Sequence, residues 1–72
     1  MNIIGTVKPT ESNETYFVGW DENERTVYLG SKVSGPWIEI GKDISYESIA
    51  IKYAQNYVNS KIDQLNMLYI FD

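Results

Sequence analysis

Five carboxylates, Glu11, Glu14, Asp21, Glu22 and Glu24, fall within 14 residues that hold no basic group. Oxygen donors spaced this way could build a calcium loop or an acid–base pair. Asp21-Glu22-Asn23 opens as a calcium loop does. An EF-hand then needs an oxygen ligand at its fifth position, Gly at its sixth and Glu at its twelfth. Those positions hold Arg25, Thr26 and Lys32, so the pattern fails. What remains is an acidic patch of Asp21, Glu22 and Glu24. It reads either as a solvated turn or as a surface that meets a basic partner by charge complementarity.

Catalysis lacks parts. The chain has no His and no Cys. That removes the commonest general base, the commonest transition-metal ligand, thiolate chemistry and disulfides. The Ser and Thr hydroxyls have no His to activate them. A Lys could serve as base only if buried, and all five lie in polar contexts. Gly5, Gly19, Gly30, Gly35 and Gly41 match no phosphate-cradling spacing. The expectation is a protein that is not an enzyme and holds no cofactor and no metal.

Binding is better supplied. Six Tyr, two Trp and two Phe make up 14% of the 72 residues. Tyr and Trp suit half-wet contact surfaces and dominate interface energetics. Tyr16, Trp20, Tyr28 and Trp37 are the candidate partner-binding residues, provided that the strands carrying them turn one common face outward.

Those strands are legible as β-rich runs between turn residues. Asn2 to Lys8 carries Ile3, Ile4 and Val7. Thr15 to Trp20 carries Tyr16, Phe17 and Val18. Arg25 to Gly30 carries Val27, Tyr28 and Leu29, so the polar tip between makes a hairpin. Gly35-Pro36 breaks the chain before a further strand, Trp37 to Ile40. The tip allows two registers. A four-residue loop sets Trp20 opposite Arg25, and a three-residue loop sets Asp21 opposite Arg25. The second pairs opposite charges and is preferred. It predicts Phe17, Val27 and Leu29 on one face and Tyr16, Val18, Trp20 and Tyr28 on the other. Ile38, Ile40, Leu68 and Ile70 extend the first face; Trp37, Glu39, Tyr69 and Phe71 extend the second.

One helix follows. Ser45 reads as its N-cap, with Ile44 and Ile49 at the spacing of a hydrophobic staple and Glu47 in the first turn. A helical wheel puts Ser48, Lys52, Gln55, Asn56 and Asn59 on one arc. Tyr46, Ile49, Ala50, Ile51, Tyr53, Ala54, Tyr57 and Val58 fall on the other, with Ala50 and Ala54 at its centre. Met67 to Phe71 reads as a last strand. The fold expected over residues 1–72 is one α+β domain in the order β-β-β-β-α-β. An antiparallel meander of three to five strands carries one amphipathic helix on one face. The length rules out a second core.

The functional expectation is a small non-enzymatic module that binds a protein partner, or a second copy as a homodimer, through the aromatic sheet face. The competing reading is that the aromatics only stabilise a small sheet by cross-strand pairing. Nucleic acid is the alternative. An aromatic sheet can stack on single-stranded bases, and a three-stranded meander followed by a helix resembles, in topology alone, the arm-binding domains of tyrosine recombinases. Against it stand a net charge of −4 and basic residues scattered singly. The acidic balance also suits a phage-type inhibitor that mimics the charge of DNA toward a DNA-binding protein. The high Ile, Asn, Tyr and Lys usage fits an AT-rich bacterial or phage genome. No secretion signal or membrane span is visible, so a cytoplasmic location is expected.

Overall fold

Each of the four β-rich runs forms a strand in the computed structural model, which describes residues 1–10 and 12–60. They are β1 (Asn2–Val7), β2 (Tyr16–Asp21), β3 (Thr26–Gly30) and β4 (Trp37–Gly41), followed by the helix α1 (Glu47–Ser60). The strands form one antiparallel meander in the order β1-β2-β3-β4, and α1 packs on one face. The architecture is α+β as expected. The strand expected at Met67 to Phe71, with Leu68, Tyr69, Ile70 and Phe71, lies outside the described residues. Among the described residues, no helix is long and apolar enough to cross a membrane.

The β2–β3 register differs from the preferred one. Asp21 faces Thr26, Trp20 faces Val27 and Val18 faces Leu29. The loop therefore has four residues, 22 to 25, but Trp20 pairs with Val27, two residues beyond Arg25. The cause is local. Asp21 Oδ1 accepts the backbone N–H of Asn23 at 3.0 Å and of Glu24 at 3.1 Å. This Asp-capped turn then ends with Arg25 in the left-handed region at φ 53°. No Asp21–Arg25 cross-strand pair forms. The one-residue change inverts which β2 residues share a face with Val27 and Leu29.

The buried face thus holds Val7, Tyr16, Val18, Trp20, Val27, Leu29 and Ile40. Register irregularities at Ile4 and Ile40 place an extra residue in each edge strand. Such bulges re-aim side chains, and here both isoleucines join the core or pack against it.

The helix meets this face through Ala50, Ala54 and Val58, all fully buried. Small residues one turn apart allow close approach. Wider side chains flank the seam and lie over glycines of the edge strands. A Cβ at Gly5 would stand 2.9 Å from Ile51 Cδ1, and one at Gly41 would stand 2.6 Å from Tyr53 Cε1. The Tyr53 hydroxyl donates to the Ile40 carbonyl at 2.8 Å. The buried stripe is narrower than the wheel suggested. Tyr46, Ile49 and Tyr53 are 66%, 48% and 38% exposed.

The helix start is also one residue later than expected. The N–H groups of Ile49 and Ala50 bond the Tyr46 carbonyl at 3.1 and 3.0 Å, which puts Tyr46, not Ser45, at the N-cap. Ile44 is pinned upstream instead. Its N–H donates to the Arg25 carbonyl at 2.9 Å, and its carbonyl accepts Trp20 Nε1–H at 3.0 Å. The shift leaves Ile49 outside a staple, while Ile44 is buried in the core. At the far end, two residues of the polar arc act as ties. Gln55 Nε2 donates to the Lys8 carbonyl at 2.8 Å, and Asn59 Oδ1 accepts the Thr10 N–H at 3.0 Å.

The alanine seam sets the helix–sheet distance, so filling it should strain the whole layer. Ala54→Leu is expected to cost about 1–3 kcal/mol in urea unfolding. Lys52→Ala, on the exposed arc, should stay within about 0.5 kcal/mol of the parent.

Candidate interaction surface

The sheet face away from α1 is built in rows set by the register. Thr6, Phe17, Gly30 and Trp37 form one row across all four strands. Ile3, Gly19, Tyr28 and Glu39 form the next, and Asp21 and Thr26 follow toward the hairpin tip. Each full row contains one glycine, and each glycine is covered by a neighbouring side chain. The Met1 side chain lies against Gly19. The Trp37 indole lies on Gly30, where a Cβ would stand 2.9 Å from Cε3 and 3.1 Å from Cδ2.

Trp37 is held from a second side by Gly35. A Cβ there would stand 3.0 Å from Trp37 Cδ1 and 3.3 Å from Nε1, and Gly35 has a φ of 90°. Only glycine satisfies both the close approach and the backbone angle. Phe17, Tyr28 and Trp37 are all half-buried. Ile3 is 43% exposed. Among the described residues, the result is an aromatic patch with no helix over it.

Of the four candidate binding residues, the structure brings Tyr28 and Trp37 together on this face. It places Tyr16 and Trp20 on the opposite one, 1% and 7% exposed beneath the helix. Their assignment to the outward face is corrected by the register. Trp20 faces Val27, so it must point where Val27 points, into the core. Phe17, read from sequence as a core residue, takes their place outside. The signal that could have found it is Asp21 itself, a turn-opening residue whose carboxylate can bind the next two free N–H groups. That fixes the loop at four residues and the parity with it.

The acidic patch divides by role. Asp21 is half-buried and used in the turn; Glu22 and Glu24 are exposed. Glu39 extends the carboxylates along the outer face beside Tyr28. Its ion pair is with Lys42 at 3.6 Å, between well-exposed groups, and Arg25 approaches Asp43 at 4.0 Å near the tip. Such exposed pairs hold little energy. The field at Tyr28 is negative on balance. Desolvation pushes its phenol above the usual range, and the carboxylates of Glu24, Glu39 and Asp21 add to the rise, with Lys42 opposing. Among the described residues, no three Asp or Glu converge to hold a metal ion. The surface offers ring faces and carboxylates, groups that suit contact with cations and apolar groups.

A raised phenol pKa favours the neutral form in the folded state. Its contribution to stability is whole below the unfolded-state pKa and is lost as pH rises through the folded one. Glu39→Gln removes one of the charges responsible, so the Tyr28 ring should titrate at lower pH in that variant. The Tyr28 ¹³Cζ shift followed across the alkaline range measures this, and an unchanged midpoint would show that Glu39 does not act there. Comparison with family models, curated proteins and solved structures finds no match to the chain.

Proposed function

We propose that the protein is a small non-enzymatic interaction module that binds a protein partner, or a second copy, through the outer sheet face. The observation that supports it is the division of the aromatic residues between two faces. Tyr16 and Trp20 fill the core under α1. Phe17, Tyr28 and Trp37 stay half-buried on the side that the helix does not cover. Aromatic anchors flanked by polar residues are the usual centre of a contact surface.

Nucleic acid suits this face poorly. Around Tyr28 stand the carboxylates of Glu39, Asp21 and Glu24 against the ammonium of Lys42. Phosphates would meet carboxylates, where binding depends on Lys and Arg.

The competing role, packing for stability alone, is separable by measurement. Tyr28→Ser and Trp37→Ser are expected to cost about 1 kcal/mol each in urea unfolding, the scale of cross-strand pairs on a wet face. Trp20→Ser should cost about 3–5 kcal/mol, as a core aromatic does. If the outer substitutions cost as much as the core one, the face belongs to the fold's own packing and the reading fails.

A further inference from the structure

The chemistry of the outer face narrows its occupant, given the interaction reading above. We infer that it takes an arginine-bearing basic protein segment, with guanidinium groups stacked on Trp37 and Tyr28 and paired with the Glu39 carboxylate.

Three features converge on this. The first is placement. Glu39 is the direct cross-strand partner of Tyr28, and Trp37 stands two residues before Glu39 on the same face. Two ring faces and a carboxylate therefore share one small area. Guanidinium is planar and weakly hydrated, stacks on aromatic rings, and grips a carboxylate with two parallel N–H groups.

The second feature is that the carboxylate can be recruited. Its partner Lys42 sits at 3.6 Å, and the two side chains are 67% and 47% exposed for Lys42 and Glu39. An exposed ion pair of this kind is exchanged at little cost. The third is the wider charge. Glu24, Glu39 and Asp21 stand near enough to the same ring to add to the rise that desolvation gives the Tyr28 phenol, with Lys42 opposing. A second copy docked by the same face would bring these carboxylates toward their own counterparts, and like-charge contacts oppose association. A basic segment neutralises them. Guanidinium recognition thus distinguishes the partner from a second copy and from phosphate.

The test is an amide and indole NMR titration of the full chain at low salt with two capped peptides, hexa-arginine and hexa-lysine. Expected is binding of hexa-arginine about threefold tighter than hexa-lysine, because Lys lacks the planar stack. Signals of Trp37 Nε1–H, Tyr28 and Glu39 should move, while buried Trp20 Nε1–H stays and reports an intact fold. Glu39→Gln should weaken hexa-arginine by about fivefold, and Glu22→Gln by less than about twofold. Equal affinity for the two peptides, shifts confined to residues 21–24, or no binding would each overturn the proposal. Such a failure concerns the partner's chemistry alone if Tyr28→Ser and Trp37→Ser still cost the fold little. If those variants cost what Trp20→Ser costs, the surface reading itself has failed.

Discussion

The hydrogen bond from Trp20 Nε1 to the Ile44 carbonyl, 3.0 Å long and buried, fixes the relation between sheet and helix. An indole N–H removed from water needs an acceptor, and an unpaired one costs about 1–3 kcal/mol. Trp20 can point into the core because Ile44 supplies that acceptor. Ile44 can supply it because its own N–H is held by the Arg25 carbonyl. The hairpin tip, the segment before α1 and the largest core side chain of β2 are thereby tied at one point. Gln55 and Asn59 fasten the other end of the helix to the β1–β2 loop. Between the two anchorages, Ala50 and Ala54 let the helix lie close on the sheet.

Glycines complete the layering on both sides. Gly5 and Gly41 make room under the helix flanks for Ile51 and Tyr53, and Gly19 and Gly30 make room on the outer face for Met1 and Trp37. A strand glycine weakens pairing by itself, but here each one admits a larger side chain from a neighbouring element. On the outer face this leaves Trp37 against Gly30 of β3, in the row next to Tyr28 and Glu39. The surface is therefore ordered by the sheet and does not depend on a mobile loop. Preformed rings and a nearby carboxylate would reduce the entropy lost on docking of the proposed partner.

Much of the fold is legible in the sequence. The β-branched and aromatic runs mark four strands, and the alanine-centred wheel marks the helix and its buried seam. The outer surface was half legible. Trp37 and Glu39 alternate cleanly with Ile38 and Ile40, so β4 could be oriented by pattern alone. In β2 every position from Tyr16 to Trp20 except Gly19 is apolar or aromatic. Such a run has no alternation from which to choose a face. Orientation then rested on the turn, and an attractive Asp21–Arg25 pairing outweighed the subtler signal of an Asp-capped turn. One residue of register moved Tyr16 and Trp20 inside and Phe17 outside.

By itself the sequence determined the element types, the α+β class and the absence of His and Cys chemistry, because these follow from local periodicity and composition. It also placed Ala50 and Ala54 at the centre of the buried helix face, since a helical period is read within one segment; the structure narrowed that face to Ala50, Ala54 and Val58. Only the tertiary structure decided which aromatic residues are core and which are surface. That choice depends on strand register, on the acceptor Ile44 offers to Trp20, and on glycines distant in sequence from the side chains they admit. Contacts of this kind join residues that no local pattern connects. Of the five carboxylates between residues 11 and 24, Asp21 shapes the turn, and it is Glu39, from another strand, that stands beside Tyr28.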